Sequence, residues 1–213
     1  MIVQTNNQIS TQISAVIFDL GKVIVDWDPN YLLKRYVHDE KRRKFLVEVV
    51  LNLEWFRIVD GGYPFSKAIE ERSKIYPEYA NEMQLYIERW PETIRGTFEG
   101  TLEIVQELYK ANYPLYVLSN WAEETWALVE HSFKFLRYFN DIIISGKVKI
   151  AKPDTAIFEL ARDRFGILPK QSLFIDDNAA NVLAAKAVGF QALIFESPEG
   201  LKQELIKLKL LHD

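Results

Sequence analysis

Four short strings in this 213-residue chain end apolar runs with side chains able to do chemistry. Asp19 follows Ala15-Val16-Ile17-Phe18 and precedes Leu20-Gly21-Lys22. A carboxylate at the tip of a buried strand is either a working group or a turn former that accepts loop N–H bonds. Leu115 to Leu118 runs into Ser119-Asn120, whose hydroxyl, amide and backbone N–H groups stand where the next helix begins and could cradle a phosphate. Leu173 to Ile175 runs into Asp176-Asp177. Adjacent carboxylates at a strand tip repel unless a cation compensates, and an oxygen-only set points to Mg²⁺ rather than zinc. One of the two has a structural alternative, as N-cap of the helix beginning at Asn178. Lys152 stands directly before Pro153 at a helix start, where the dipole disfavours a cation, so either an anion lies nearby or the lysine faces solvent as its neighbours Lys147 and Lys149 can. Converging on one sheet edge, these groups would make a phosphoryl-transfer site without histidine or cysteine.

Such groups converge only if the strands lie side by side. Ala15 to Phe18, Leu115 to Leu118, Ile142 to Ile144, Leu173 to Ile175 and Ala192 to Phe195 read as short buried strands. Helical patterns lie between them: Thr101 to Lys110, Pro153 to Phe165 with proline in its first turn, and Asn178 to Val188 closing on Gly189. The βα alternation implies an α/β fold, a Rossmann-like parallel sheet core flanked by helices. Between 28 and 97 the chain has no convincing strand, several amphipathic helical stretches and a turn at Asp60-Gly61-Gly62. That excess predicts an inserted helical cap of residues 28–97 over the carboxyl edge of a core made of 1–27 and 98–213, and ligands bind at that edge in open α/β sheets.

Composition removes several alternatives. Without cysteine there is no disulfide framework or thiolate nucleophile, and His38, His131 and His212 are too scattered for a histidine zinc motif. With 30 acidic against 26 basic residues, net −4, a nucleic-acid binder held by counterion release is not expected. The basic cluster Lys41-Arg42-Arg43-Lys44 reads as a solvated helix face. No apolar run approaches the ~18 residues of a membrane span, and the opening MIVQTNNQISTQ lacks a signal-peptide pattern. A cytoplasmic protein, monomer or homodimer, is the expectation.

The strings FDLGKVIVDWDP, VLSNW, AKPDTAIFELA and LFIDDNAANVLAAKAVGF resemble the four ordered motifs of the haloacid dehalogenase (HAD) superfamily. The DLGxV opening and the LSNW string look most like a subgroup that includes sugar-phosphate phosphatases. The resemblance implies Asp19 as the nucleophile that forms an aspartyl-phosphate. It implies Ser119, Asn120 and Lys152 as phosphate ligands, Lys152 also keeping Asp19 ionised, and Asp19, the Gly21 carbonyl and one or both of Asp176 and Asp177 as ligands of Mg²⁺. The substrate would be a small phosphorylated metabolite chosen by the cap, with Trp27, Trp55 and Trp121 as possible walls or packing. One position departs from the usual Asp-x-Asp motif: Gly21 stands where the acid/base Asp is expected. Its replacement would be metal-bound water, a cap residue or Asp26, with Asp28 reading instead as an N-cap before Pro29. Two other readings remain: a 2-haloacid dehalogenase, which lacks the same Asp but gains nothing from an acidic pair, and a weakly catalytic binder of a phosphorylated ligand. Replacing both Asp176 and Asp177 by Asn is expected to leave the fold intact.

Overall fold

The strand β1, Ala15–Phe18, is buried along its whole length, as a strand with neighbours on both edges and helices on both faces must be. The computed structural model, which describes residues 12–212, pairs it in parallel with Leu115–Ser119 and Ser172–Asp176. With Val25–Trp27 as β2 and Ile94–Thr97 as β3, these two are β4 and β6; Asp141–Ile144 is β5 and Gln191–Ile194 is β7. All but β2 and β3 form one sheet in the order β5-β4-β1-β6-β7. The chain winds outward from β1 through β4 to β5, then returns to its other side for β6 and β7. The reversal opens a crevice at the carboxyl end of β1. Register sets what meets there: Phe18 lies beside Val117 and Ile175, so Asp19 stands level with the end of β4 and with Asp176. All of the opening string but Gln12 lies outside the described residues.

The core helices are α6 (Glu99–Lys110), α7 (Glu123–Val129), α8 (Ser145–Val148), α9 (Thr155–Phe165), α10 (Ala179–Ala187) and α11 (Pro198–Lys207). Two starts differ from the sequence expectation. Helix α9 begins at Thr155 with the Asp154 side chain capping Ala156 N, so Pro153 precedes the helix and Lys152 is not at its first turn. Helix α10 is capped by Asn178, which accepts from Ala180 N; neither Asp176 nor Asp177 is the cap. Gly189, at φ +95, ends it in the left-handed region that a side chain would resist.

The stretch between β2 and β3 is helical as expected: α1 (Pro29–Tyr36), α2 (Glu40–Phe45), a π-helical turn Leu46–Val50, α3 (Leu53–Asp60), α4 (Phe65–Ile75) and α5 (Ala80–Glu88). Asp28 caps α1 ahead of Pro29. Residues 28–97, where no strand is expected, do contain one, β3, which pairs antiparallel with β2. Ile-Arg-Gly-Thr carries no buried stripe, so only the partner strand reveals it. Trp55, Phe65 and Tyr86 of the lobe belong to the same continuous apolar cluster as Phe18 and Val117 of the sheet. The lobe is therefore packed onto the sheet through shared apolar surface.

One glycine holds the loop after β4 in place. At Gly146 an added Cβ would lie 2.4 Å from Glu123 N and 2.7 Å from Trp121 O, and both are backbone atoms that cannot swing away. Gly146 N donates to Trp121 O, and Trp121 N donates to Ser145 Oγ. Gly146→Ala should therefore cost about 1–3 kcal/mol through overpacking, lowering the melting temperature by several degrees; an unchanged melting curve would show that the two segments separate freely.

Candidate active site

The feature that organises the site is a buried ammonium. Lys152 is 1% exposed and its Nζ lies 2.6 Å from Asp176 Oδ2, 3.0 Å from Asp19 Oδ1 and 2.7 Å from Leu118 O. The anion that outweighs any dipole penalty is thus a pair of the protein's own carboxylates. Although burial opposes it, Asp176 and Asp19 hold the Lys152 ammonium above its usual range. Its main chain is pinned as well: Asn120 Nδ2 donates to Lys152 O at 2.9 Å and Lys152 N donates to Asn120 Oδ1 at 2.8 Å. The Asn120 amide is therefore spent on positioning Lys152, and the next backbone N–H, that of Trp121, is spent on Ser145 Oγ. Ser119 Oγ is fully buried with no hydrogen-bond partner of regular geometry, though near enough to Asp19 to favour that carboxylate's charged form.

Asp176 accepts four hydrogen bonds from three groups. Its Oδ1 accepts from Asn178 N and Asn181 Nδ2, and its Oδ2 from Asn181 Nδ2 and Lys152. Carboxylate oxygens of Asp19, Asp176 and Asp177 lie within 4.8 Å of one another, with one buried lysine to balance them. The surplus of negative charge shows in the titration. Burial pushes the Asp19 carboxyl up to about 7, with Lys152 opposing and Asp176 adding to the rise. Lys152 does not by itself keep Asp19 ionised, because its charge is shared with Asp176. Burial, then repulsion from Asp176, also pushes Asp177 up. An oxygen-only cluster with uncompensated charge suits a hard divalent cation such as Mg²⁺.

A cavity of about 470 Å³ opens over these groups. Asp19, Gly21, Asn120, Lys152 and Asp177 line it, whereas Ser119 and Asp176 lie behind the surface. Trp27 and Trp121 are in its wall; Trp55 instead packs within the lobe against Phe56 and Phe65. Asp26 does not line it, since its carboxylate accepts the Tyr31 hydroxyl at 2.6 Å. From the lobe come Phe56, Arg57 and Asp60. Asp60 escaped the sequence reading, in which it marked only the start of a Gly-Gly turn; the signal available was its acidity at a turn placed over the catalytic edge.

A haloacid dehalogenase-like hydrolase family model matches residues 13–189, and the chain belongs to that family. Curated relatives include a probable phosphoglycolate phosphatase of Pseudomonas putida, 29% identical over 52% of this chain and 45% of its own length. An (S)-2-haloacid dehalogenase of Burkholderia cepacia is 30% identical over 46% of this chain and 42% of its own. The chain spans less than half the length of those relatives, but it covers 83% of a phosphorylated carbohydrates phosphatase of Thermotoga maritima, 23% identical over 84% of this chain. Among solved structures, a predicted HAD-like hydrolase from Porphyromonas gingivalis superimposes with TM-score 0.70 over 94% of this chain and 100% of its own, 18% identical. A HAD family enzyme from Bacteroides thetaiotaomicron, solved with magnesium and inorganic phosphate, does so with TM-score 0.65 over 87% and 95%, 22% identical. Both likenesses bear on the fold.

Two predictions follow from the charge arrangement. The two motif carboxylates should differ: Asp176→Asn strips Lys152 of its closest buried partner and should cost about 3 kcal/mol, whereas Asp177→Asn relieves repulsion and should leave metal-free stability unchanged or raised. This revises the expectation that the pair can be neutralised together at no cost, and equal melting temperatures for the two variants would contradict it. The second concerns pH. Asp19 binds its proton more tightly folded than unfolded, so its stabilising contribution is full below its ordinary value of 3.8 and is lost as pH rises through about 7. In chelator, Asp19→Asn should raise the melting temperature at pH 8 and change it little at pH 4, a gain of ~1 kcal/mol corresponding to roughly 2–4 °C; a pH-independent difference would remove the charge surplus as its cause.

Proposed function

We propose that this chain hydrolyses small phosphomonoesters in a Mg²⁺-dependent reaction with Asp19 as nucleophile. The observation that carries the reading is the triangle of Asp19, Lys152 and Asp176 beside Asp177 at the floor of a half-enclosed cavity. Asp19 Oδ attacks phosphorus and the ester P–O bond breaks, leaving an aspartyl-phosphate that water then opens. Lys152 holds Asp19 in line and offers its charge to the transferring oxygens, together with the Asn120 backbone N–H. Asp19, the Gly21 carbonyl and Asp177 would hold Mg²⁺, with Asp176 adding its charge from behind. The ion supplies the positive charge that lets a carboxylate approach a phosphate dianion. The relatives named as phosphatases support this reaction class.

The substrate class is set by the lobe side of the cavity, residues 28–97 acting as a cap. Trp27 and Trp121 give it flat apolar walls and Arg57 a cation at the mouth, which suits a polyol or sugar phosphate. Dehalogenation is the competing reading because haloacid dehalogenases are among the relatives. It is weakened by the acidic surplus, which would repel a haloacid carboxylate.

Purified protein should release phosphate from 4-nitrophenyl phosphate and from hexose phosphates in Mg²⁺. In chelator, or with Asp19→Asn, turnover should fall by at least ~10²-fold, because an amide neither attacks phosphorus nor ligates a hard cation well. Chloride release from a 2-chloroacid, undiminished by chelator and without any phosphate release, would replace this reading by dehalogenation.

A further inference from the structure

Position 21 has no side chain to protonate a leaving alkoxide, yet the cavity wall contains a carboxyl group that the nucleophile and metal ligands leave unused. We infer that Asp60, at the end of α3 in the helical lobe, is the general acid and base of this site. The inference rests on the phosphatase reading above. The titratable residues lining the cavity are Asp19, Lys22, Arg57, Asp60, Lys152 and Asp177. Asp19 is the nucleophile, and all three Lys152 donors are taken by Asp176, Asp19 and Leu118 O. Asp177 belongs to the acidic cluster, and Lys22 and Arg57 are exposed at the mouth. Asp60 remains, partly buried in the cavity wall. Asp26 and Asp28 are engaged elsewhere, by the Tyr31 hydroxyl and by the α1 cap.

The position of Asp60 is fixed by the turn that follows it. Gly62 has φ +92, and a Cβ there would lie 2.7 Å from Lys149 Cγ and 3.2 Å from Gly146 O, so the lobe presses directly onto the segment after β5. Two residues past Tyr63, Phe65 N donates to the Glu124 carboxylate at 2.8 Å, a second tie between lobe and core. These contacts fix the turn that follows Asp60, a residue that lines the same cavity as Asp19. Its protonation suits the role: burial, then the charge of Asp19, pushes it up to about 7, against Lys152 and the Ala122 amide, with the buried Tyr86 hydroxyl also within its field.

The two steps balance. As the Asp19 oxygen bonds to phosphorus and the ester P–O bond breaks, the Asp60 proton passes to the departing alkoxide and an alcohol leaves. Water then attacks phosphorus and the P–O bond to Asp19 breaks. One water proton returns to Asp60, and the other stays on the released hydrogen phosphate.

The test compares leaving groups in Mg²⁺. A hexose 6-phosphate leaves as a basic alkoxide that needs a proton, and 4-nitrophenolate leaves unaided. Asp60→Asn should lower kcat/KM for the hexose phosphate by ~10²-fold or more and that for 4-nitrophenyl phosphate by less than ~3-fold. It should also slow the second step, so that 4-nitrophenol appears in a burst equal to the enzyme concentration before a slower steady rate. Gly21 is outside the left-handed region and a Cβ there meets nothing within 4 Å. Gly21→Asp added to Asp60→Asn should therefore restore hexose phosphate turnover at least tenfold. A structural role for Asp60 would lower kcat/KM equally for both substrates, with no burst and no rescue, and that result would overturn the assignment, as would unchanged kinetics. If Asp60→Asn does not fold, Asp60→Ser carries the same comparison. Failure of the phosphatase reading is separable: the wild-type protein would then release no phosphate dependent on Asp19 and Mg²⁺, whereas failure of the Asp60 assignment alone leaves wild-type turnover intact.

Discussion

The Lys152 ammonium lies in a buried setting where an unpaired charge would be costly, and two carboxylates and a main-chain carbonyl satisfy it completely. Much of the surrounding architecture serves that arrangement. Strands β1, β4 and β6 must be neighbours in register for Asp19, Leu118 O and Asp176 to reach one nitrogen. Asn120 must clamp the Lys152 backbone from the other side, and Asn181 must approach from the first turn of α10 to hold Asp176. A change in any of these contacts alters the position of Asp19.

The same cluster has more negative charge than Lys152 balances. Burial raises the pKa of Asp19 and Asp177, the two groups that face the cavity. Asp176, saturated with hydrogen bonds, is the structural member, and the other two have capacity left for a cation. The division of labour between adjacent aspartates therefore follows from what each already accepts, and it makes the metal-free site a place of stored repulsion that a divalent cation relieves.

The helical lobe contributes the other wall. It is packed onto the sheet through a continuous apolar cluster and docked by the Gly62 turn and the Phe65–Glu124 bond, and its Arg57 and Asp60 line the cavity shared with Asp19. Asp60 of the lobe and Asp19 of the core line one cavity, so a reaction that uses both needs the lobe and the sheet in contact.

By itself the sequence determined the parallel sheet and its catalytic edge, because buried strands read as continuous apolar runs and the polar residues ending them are few. Asp19, Asn120, Lys152 and the Asp176–Asp177 pair were all legible as strand-end or pre-helix groups, and the structure brings them to one edge. It did not show β3, whose four residues carry no periodic signal apart from their partner. It did not separate Asp176 from Asp177, because that depends on Asn181, five residues away along a helix turned back toward the strand. It missed Asp60, and it left Asp26 open until the Tyr31 hydroxyl was seen to engage it. Local pattern reports which face of an element is buried; which distant side chain shares a proton or a charge is decided only when packing has set the distances.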